Sequence, residues 1–329
     1  MYFIFSSIFL MKKAENMENY YKYIYAAYKL GSFTKAAEKL YVTQPTLSMA
    51  IKKVEDHLHM PLFYREGKSV TLTPVGKLYI KSIEKMMSIE TDLQAEIRDI
   101  ERLETGTVRI GGTQYINSCI LPPVIAQFIQ RYPKIDIQLK EQEPSKNLTD
   151  LAKGKIDFCC NAGTIDIPDL KKVPLFQDQI YLAVPDAYNQ PDWLPWELDL
   201  EGPPWSEPKS IPLSDALFQL PIILLAAPSN LQACVRNAYA DAHRQPHIVL
   251  QAEQQETSLQ LACAGIGAAF VGEQMLRHRK PKAMHIYKID HPSLRRTFYL
   301  LTNKKRYLTK AASAFVALWK KTAGETLRQ

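Results

Sequence analysis

Residues Phe33 to Leu58, FTKAAEKLYVTQPTLSMAIKKVEDHL, hold two amphipathic runs joined by the stub Val42-Thr43-Gln44-Pro45. A stub this short has no room to wander, so it fixes the angle between two helices. In the first run Thr34 is placed to cap through Glu38, and Ala36, Ala37 and Leu40 share one face. Alanines there let another helix approach closely. In the second run Thr43 is the predicted cap, and Pro45 falls in the first turn, where a missing N–H costs nothing. Leu47, Ile51 and Val54 form its predicted buried stripe. Its outer face carries Gln44, Thr46, Ser48, Lys52 and Lys53. Gln and Thr can reach base edges, while Lys and a helix N-terminus hold phosphates. The pattern fits a helix entering a major groove, or an ordinary helical hairpin with a solvated face.

The following residues extend the pattern. Pro61-Leu62-Phe63-Tyr64-Arg65, the turn Glu66-Gly67-Lys68-Ser69 and Val70-Thr71-Leu72-Thr73 predict two short strands around a basic turn, a wing. Arg65 and Lys68 would lie against backbone phosphates. Thr73-Pro74 then caps a long helix. Tyr79, Ile83, Met86, Leu93, Ile97 and Ile100 recur at spacings of three, four and seven, with Glu90 the one polar member. No Gly or Pro interrupts Lys77 to Glu104. A seam this narrow and long asks for a partner helix, most simply from a second copy; the alternative is a helix lying on its own domain. Charge follows the same division. Residues 17–81 hold ten Lys/Arg and five Asp/Glu, net +5, and residues 82–105 hold three and seven, net −4. Much of the chain's overall +7 therefore sits in the head, as an anionic partner would require.

After Thr105-Gly106 short apolar strands alternate with helices, the mark of a parallel sheet covered on both faces. Strands are predicted at Thr107–Gly111, Ile135–Lys140, Ile156–Cys160 and Ile180–Val184, with helices at Ile120–Tyr132 and Asn147–Lys153. A Pro- and Trp-rich excursion, Pro185 to Pro212, separates these from a second series: strands at Ile222–Leu225, His247–Gln251 and Ala268–Val271, helices at Asn230–Ala242 and Glu256–Ala264. Strands near Ile286 and Phe298 and a last helix, Leu308–Thr322, are expected to return to the first lobe.

These residues together resemble the LysR-type transcriptional regulators. The matching string is Gly31-Ser32-Phe33-Thr34, Ala36-Ala37, Leu40, Thr43-Gln44-Pro45, Ser48, Ile51, Val54-Glu55, Leu62-Phe63, Arg65 and Leu72-Thr73-Pro74-Val75-Gly76. Leu121-Pro122, Phe128, Tyr132-Pro133, Gly154-Lys155-Ile156-Asp157 and Gly265-Ile266-Gly267 look like the family's effector domain. His59 departs from the pattern, standing where the family usually has Gly, and so must tolerate an unusual backbone or change the turn. The resemblance implies an α/β protein with an N-terminal winged helix-turn-helix, a long linker helix and a two-lobed effector domain like the periplasmic solute-binding proteins, with two crossing strands as hinge. It covers the chain from Met17. Residues 1–16 read as a loose tail or upstream start, 17–76 as the DNA-binding head, 77–105 as the linker and dimerisation helix, and 106–329 as the regulatory domain, its second lobe about 185–282.

In open α/β lobes ligands bind at the carboxyl ends of strands, near helix N-termini. The first strand ends at Thr113-Gln114-Tyr115, the third near Asn161, Ser229-Asn230 opens a helix in the second lobe, and Gly265 precedes a strand. By resemblance these positions and Ser145 face the effector. Thr113, Ser145 and Ser229 can also be read as helix caps or turn residues. A small polar or anionic metabolite is expected there, since helix N-termini favour negative charge. DNA contacts are assigned to Thr34, Thr43, Gln44, Pro45, Thr46, Ser48, Lys52, Lys53, Arg65 and Lys68.

Other chemistry finds little support in the sequence. Seven histidines form no metal motif, and no nucleophile elbow or phosphate loop occurs, so no enzyme activity and no cofactor are expected. Five cysteines without a C-x-x-C pair fit a reducing cytoplasm, and Cys159-Cys160, adjacent on a strand, point to opposite faces. The apolar start, MYFIFSSIFL, is too short to span a bilayer and lacks a basic start, so no membrane association is expected. The partners expected are double-stranded promoter or operator DNA, a small-molecule effector, the chain itself as homodimer or homotetramer, and RNA polymerase. A solute-binding-type receptor without a DNA role is the alternative; it would leave the wing and the basic head unexplained.

Overall fold

The computed structural model describes residues 19–66, 69–101, 106–163, 167–189 and 210–326. The predicted tail, Lys68 and most of the Pro/Trp-rich excursion, with Trp193, Trp196 and Trp205, lie outside the described residues. The chain divides into two compact units, residues 1–94 and 95–329.

The head contains α1 (residues 19–30), α2 (Phe33–Lys39), α3 (Gln44–Leu58), β1 (Phe63–Glu66), β2 (Ser69–Leu72) and the start of α4 (Pro74–Glu101). Its core joins Ile24, Ala36, Ala37, Leu47, Ile51, Val54, Leu62 and Phe63 with Ile80 and Ile83 of α4. The alanines of α2 are fully buried, which brings α2 and α3 together. The cap of α2 is Ser32, whose Oγ accepts from Lys35 N at 3.5 Å; Thr34, the predicted cap, lies two residues later, inside the first turn, and stays exposed. Thr43 does cap α3, accepting from Thr46 N at 3.3 Å, and Pro45 sits in the first turn. His59 takes the left-handed conformation, φ 53° and ψ 26°, closing α3 as a glycine would. The strands of the wing pair Phe63 with Leu72 and Glu66 with Ser69. Thr73 Oγ1 accepts from Gly76 N at 2.9 Å and donates to Pro61 O at 2.7 Å, tying the start of α4 to the entry of the wing. A side chain at Gly76 would strike the Leu62 carbonyl, so only glycine allows this close join.

The second unit contains β3 (Gly106–Gly112), a π-helical turn (Ile116–Ile120), α5 (Leu121–Arg131), β4 (Ile135–Glu141), α6 (Pro144–Ala152), β5 (Phe158–Ala162) and β6 (Leu170–Pro185). Then come β7 (Ser210–Ile211), α7 (Asp215–Gln219), β8 (Pro221–Leu225), α8 (Asn230–Asp241), β9 (His247–Ala252), α9 (Gln255–Cys263), β10 (Ala268–Gly272) and α10 (Glu273–Arg279). The unit ends with β11 (Met284–Ile289), β12 (Arg295–Asn303) and α11 (Lys310–Thr326). The strand order is β4-β3-β5-β12-β6-β10-β8-β9, with β11 on β6 and β7 on β11.

Strand β6 belongs to both lobes. Residues 170–179 pair with β12 in the first, and residues 180–185 pair with β10 and β11 in the second. The first half escaped prediction because it pairs only with β12. An open edge admits Lys171, Lys172 and Pro174, which break the apolar pattern. A register shift between Phe298 and Tyr299 leaves Leu175 without an opposite residue. The strand near Ile286 also departs from expectation. It pairs with the far half of β6 and stays in the second lobe, which therefore extends to Ile289. The strand near Phe298 and the last helix do return: Phe315 of α11 packs against Phe128 of α5 and Phe158 of β5, and Trp319 against Phe158. The chain crosses between the lobes within β6 and again just before β12. Gln179 Nε2 links the crossings, donating to Leu294 O at 3.3 Å and Ile180 O at 2.9 Å.

Candidate functional site

On α3, Leu47, Ile51 and Val54 are buried, and this turns Gln44, Thr46, Lys52 and Lys53 outward, with Ser48 half-buried. Thr43 Oγ1 and Thr46 Oγ1 stand 2.8 Å apart, so both threonine hydroxyls engage at the helix start. Glu55 fixes α3 to the wing: one carboxylate oxygen accepts from Leu62 N at 2.7 Å and Phe63 N at 3.2 Å, and the other from Arg65 Nη2 at 3.3 Å. Arg65 also lies over the Phe33 ring. Its side chain remains half exposed, so it can meet a phosphate, but from a position already set by Glu55. Thr43, Gln44, Pro45, Thr46, Lys52 and Lys53 share one exposed surface with Tyr41, which holds φ 55° in the turn.

In the second unit a cavity of about 320 Å³ opens at the strand ends of both lobes. Thr113, Gln114, Tyr115 and Asn161 line it from the first lobe, and Ser229 and Asn230 from the second. Ser145 and Gly265 are not among its lining residues. Ser145 is exposed on α6 and its carbonyl accepts from Thr149 Oγ1. Gly265 has φ 77° and closes the turn after α9, donating from its N–H to Ala262 O. The cap alternative also holds in part: Ser229 Oγ accepts from Gln232 N at 3.4 Å and caps α8.

The cavity's charged lining was not foreseen. Arg296 of β12 lines it and is only 7% exposed. Directly opposite in register is Asp178 of β6. Arg296 Nε donates to Asp178 Oδ2 at 2.8 Å, and Nη2 lies 2.7 Å from the same oxygen. Two nitrogens converge on one acceptor, and Nη2 makes no directed hydrogen bond. Tyr115 donates its hydroxyl to Asp178 Oδ1 at 2.7 Å. The guanidinium lies 5.1 Å from the Tyr115 ring centre and 4.9 Å from that of Phe298. Burial opposes the charge on Arg296, but the Asp178 carboxylate outweighs it and raises the guanidinium pKa. Burial, with Asp178 adding to it, pushes the Tyr115 phenol well above its ordinary value, so it remains a donor. A side chain at Gly272 would meet both the Tyr115 hydroxyl and Asp178, so β10 needs a glycine there to admit the network. Alternation could have flagged Arg296, since it shares a face with the buried Phe298 and Leu300.

Among the described residues, the remaining charged groups of the lining are Glu141 and Glu143, at the end of β4 and the start of α6, and Glu253, ahead of α9. All three are exposed. Among the described residues no group of three His, Cys, Asp or Glu side chains is placed to hold a metal ion. Among them, too, no helix is long and apolar enough to cross a membrane.

Residues 19–77 match the family model of the bacterial regulatory helix-turn-helix protein, lysR family, and residues 101–324 match that of the LysR substrate binding domain. The chain is 31% identical over 301 residues to the uncharacterized HTH-type transcriptional regulator YcgK of Bacillus subtilis, covering 90% of this chain and 91% of that one. Among solved structures, the LysR family transcriptional regulator CbnR aligns with a TM-score of 0.62 at 18% identity, over 93% of this chain and 98% of that one. Full-length CbnR complexed with its target DNA aligns with a TM-score of 0.54 at 18% identity, over 93% and 99%.

Proposed function

Because this chain belongs to the LysR family of transcriptional regulators, we propose that it reads operator DNA with α3, pairs with a second copy through α4, and responds to a small molecule in the cavity of its regulatory domain. As a family member it is a DNA-binding transcriptional regulator with an effector-binding domain, and not an enzyme. The observation that carries the DNA assignment is the capped, outward polar start of α3 above a fully buried stripe. Gln44, Thr46 and Ser48 reach base edges; Thr34, Thr43, Pro45, Lys52, Lys53 and Arg65 line the sugar–phosphate path, and Lys68 is assigned to it from the sequence alone. The presence of target DNA in the CbnR complex supports the same use of the head.

Pairing is supported by α4. Past Ile83 its apolar residues leave the head's core, and Met86, Ile89, Leu93 and Ile97 stand exposed, Leu93 at 54%. A second copy covers such a strip as a homodimer, with dimers pairing into a tetramer. The head, residues 17–76, then binds DNA, residues 77–105 assemble the protein, and residues 106–329 sense. Thr113, Gln114, Tyr115, Asn161, Ser229 and Asn230 are the effector contacts the cavity supports. We place the protein in the cytoplasm, where DNA and a reducing milieu suit its free thiols. Contact with RNA polymerase rests on the family reading alone.

The test is a pair of substitutions in gel-shift titrations on candidate operator DNA. Gln44→Ala relaxes base choice at one position and costs about 1–3 kcal/mol on the specific site. Lys52→Ala weakens all sequences alike and lowers the salt slope by about one unit. If both bind like the parent, α3 is not the reading helix.

A further inference from the structure

We propose that the effector is a zwitterion, an amino acid or a similar molecule bearing both an ammonium and a carboxylate, whose ammonium is held between carboxylates of the two lobes; this rests on the cavity being the effector site. Among the described residues, three exposed carboxylates, Glu141, Glu143 and Glu253, line the cavity, against a single cation, Arg296. The charge of Arg296 is already balanced by Asp178 and covered by the rings of Tyr115 and Phe298. The cavity therefore presents a negative field to whatever enters it. A simple dianion is repelled by that field. A metal ion is no better, since the carboxylates do not gather into a ligand set among the described residues. An organic cation suits spread-out carboxylates, because it needs only proximity and a few hydrogen bonds.

Two further observations define the ligand's other needs. Gln114 Oε1, in the same lining, is buried and accepts no hydrogen bond, so it calls for a donor such as an ammonium N–H. Arg296, more than nine-tenths buried, keeps Nη2 2.7 Å from Asp178 Oδ2, and among the described lining residues its guanidinium is the positive group that a ligand carboxylate can face. Ser229 and Asn230 begin α8 in the same lining, and the positive end of a helix dipole favours a carboxylate even with Gln232 N taken by the Ser229 cap. A donor cation and an acceptor anion on one small molecule satisfy both. Glu141 and Glu143 come from the first lobe and Glu253 from the second. Drawing like charges together opposes closure of the cleft, and a bound ammonium removes that opposition. The ligand thus prefers one arrangement of the lobes, as any signal requires.

The experiment uses the full chain at fixed ionic strength and probes it by thermal shift with the common amino acids, putrescine and succinate, following hits by calorimetry. At least one amino acid binds, and succinate does not. Glu143→Gln with Glu253→Gln weakens that amino acid about tenfold and raises the affinity for succinate. Both glutamates are exposed, so the melting temperature of the unliganded variant stays that of the parent. Thr113→Val, which keeps volume and removes a hydroxyl from the lining, also weakens the amino acid. If binding is lost in Thr113→Val but indifferent to the glutamates, the cavity is the effector site and the zwitterion proposal falls. Succinate binding in preference to every amino acid has the same meaning. A bound amino acid unaffected by all these changes places the effector elsewhere and overturns both readings. If no probe binds, the zwitterion proposal is wrong.

Discussion

In the head, everything that fixes α3 lies close by in the chain: Thr43 caps it, Leu47 to Val54 bury it, and Glu55 holds it to a wing that begins within ten residues. In the regulatory unit, the groups around the cavity come from opposite ends of the domain. Tyr115, Asp178 and Arg296 touch although they are spread along nearly all of it. The head is built from local instructions and the cavity from long-range pairing. A local site keeps its shape if its own segment folds. A cavity assembled this way depends on the whole sheet having formed, so its residues are felt in stability as well as in binding.

The strongest way to break this contrast is Asp178→Ala. It leaves Arg296 buried without its partner, and removing one member of a buried ion pair costs about 3–5 kcal/mol. All four tryptophans, Trp193, Trp196, Trp205 and Trp319, lie in the regulatory domain, so a urea titration followed by tryptophan fluorescence reports on that unit. A shift below about 1 kcal/mol would mean that the pair is not structural. Next is Leu93→Lys, which places a charge in the exposed seam of α4. The parent runs as a dimer or larger by light scattering and the variant as a smaller species. A monomeric parent would rule out the seam.

A smaller effect separates two readings within the head. Ser32→Ala should lower the head's stability by about 1 kcal/mol, while Thr34→Ala should leave it nearly unchanged, because Ser32 makes the capping bond. Circular dichroism melts of the two variants decide the matter. The smallest change expected is at Cys159 and Cys160. Burial pushes the Cys159 thiol up to about 12 and holds that of Cys160 well above its ordinary value, so neither forms thiolate near neutral pH. The sign is fixed: a raised thiol pKa means less nucleophile at every pH below it. Alkylation by iodoacetamide in the native protein should spare both and reach the exposed Cys263 first, read by mass spectrometry.

Legibility follows the same divide. The turn, cap and stripe of α3 could be read because Thr43, Pro45, Leu47, Ile51 and Val54 each act within one helix. The cavity was half legible: Thr113, Gln114, Tyr115, Asn161, Ser229 and Asn230 sit at strand ends, and strand ends can be counted. Ser145 and Gly265 were misplaced because a one-residue rotation on a helix, or a turn that needs left-handed φ, leaves no trace in the alternation of strands. Alternation offered Arg296 as a buried position, but its pairing with Asp178 stayed hidden because it depends on the register between β6 and β12, set by a bulge that no local pattern announces. The first half of β6 was missed for a related reason, since an open edge tolerates lysines and a proline.

The route of β6 and β12 also bears on how the chain is made. The first lobe is opened by β3 and β4, yet it is closed by β12 and α11 from the far end of the sequence. During synthesis the head, complete within its own segment, can fold as soon as it emerges, and domains generally do fold as units from the N-terminus. The first lobe cannot: its sheet waits, one edge unpaired, while the whole second lobe is translated. The second lobe, threaded through the gap, has its strands from β6 to β11 in hand before β12 exists. A chain ended ahead of residue 295 and released would therefore hold every strand of the second lobe but lack the strand that closes the first, with the face that α11 later covers still bare.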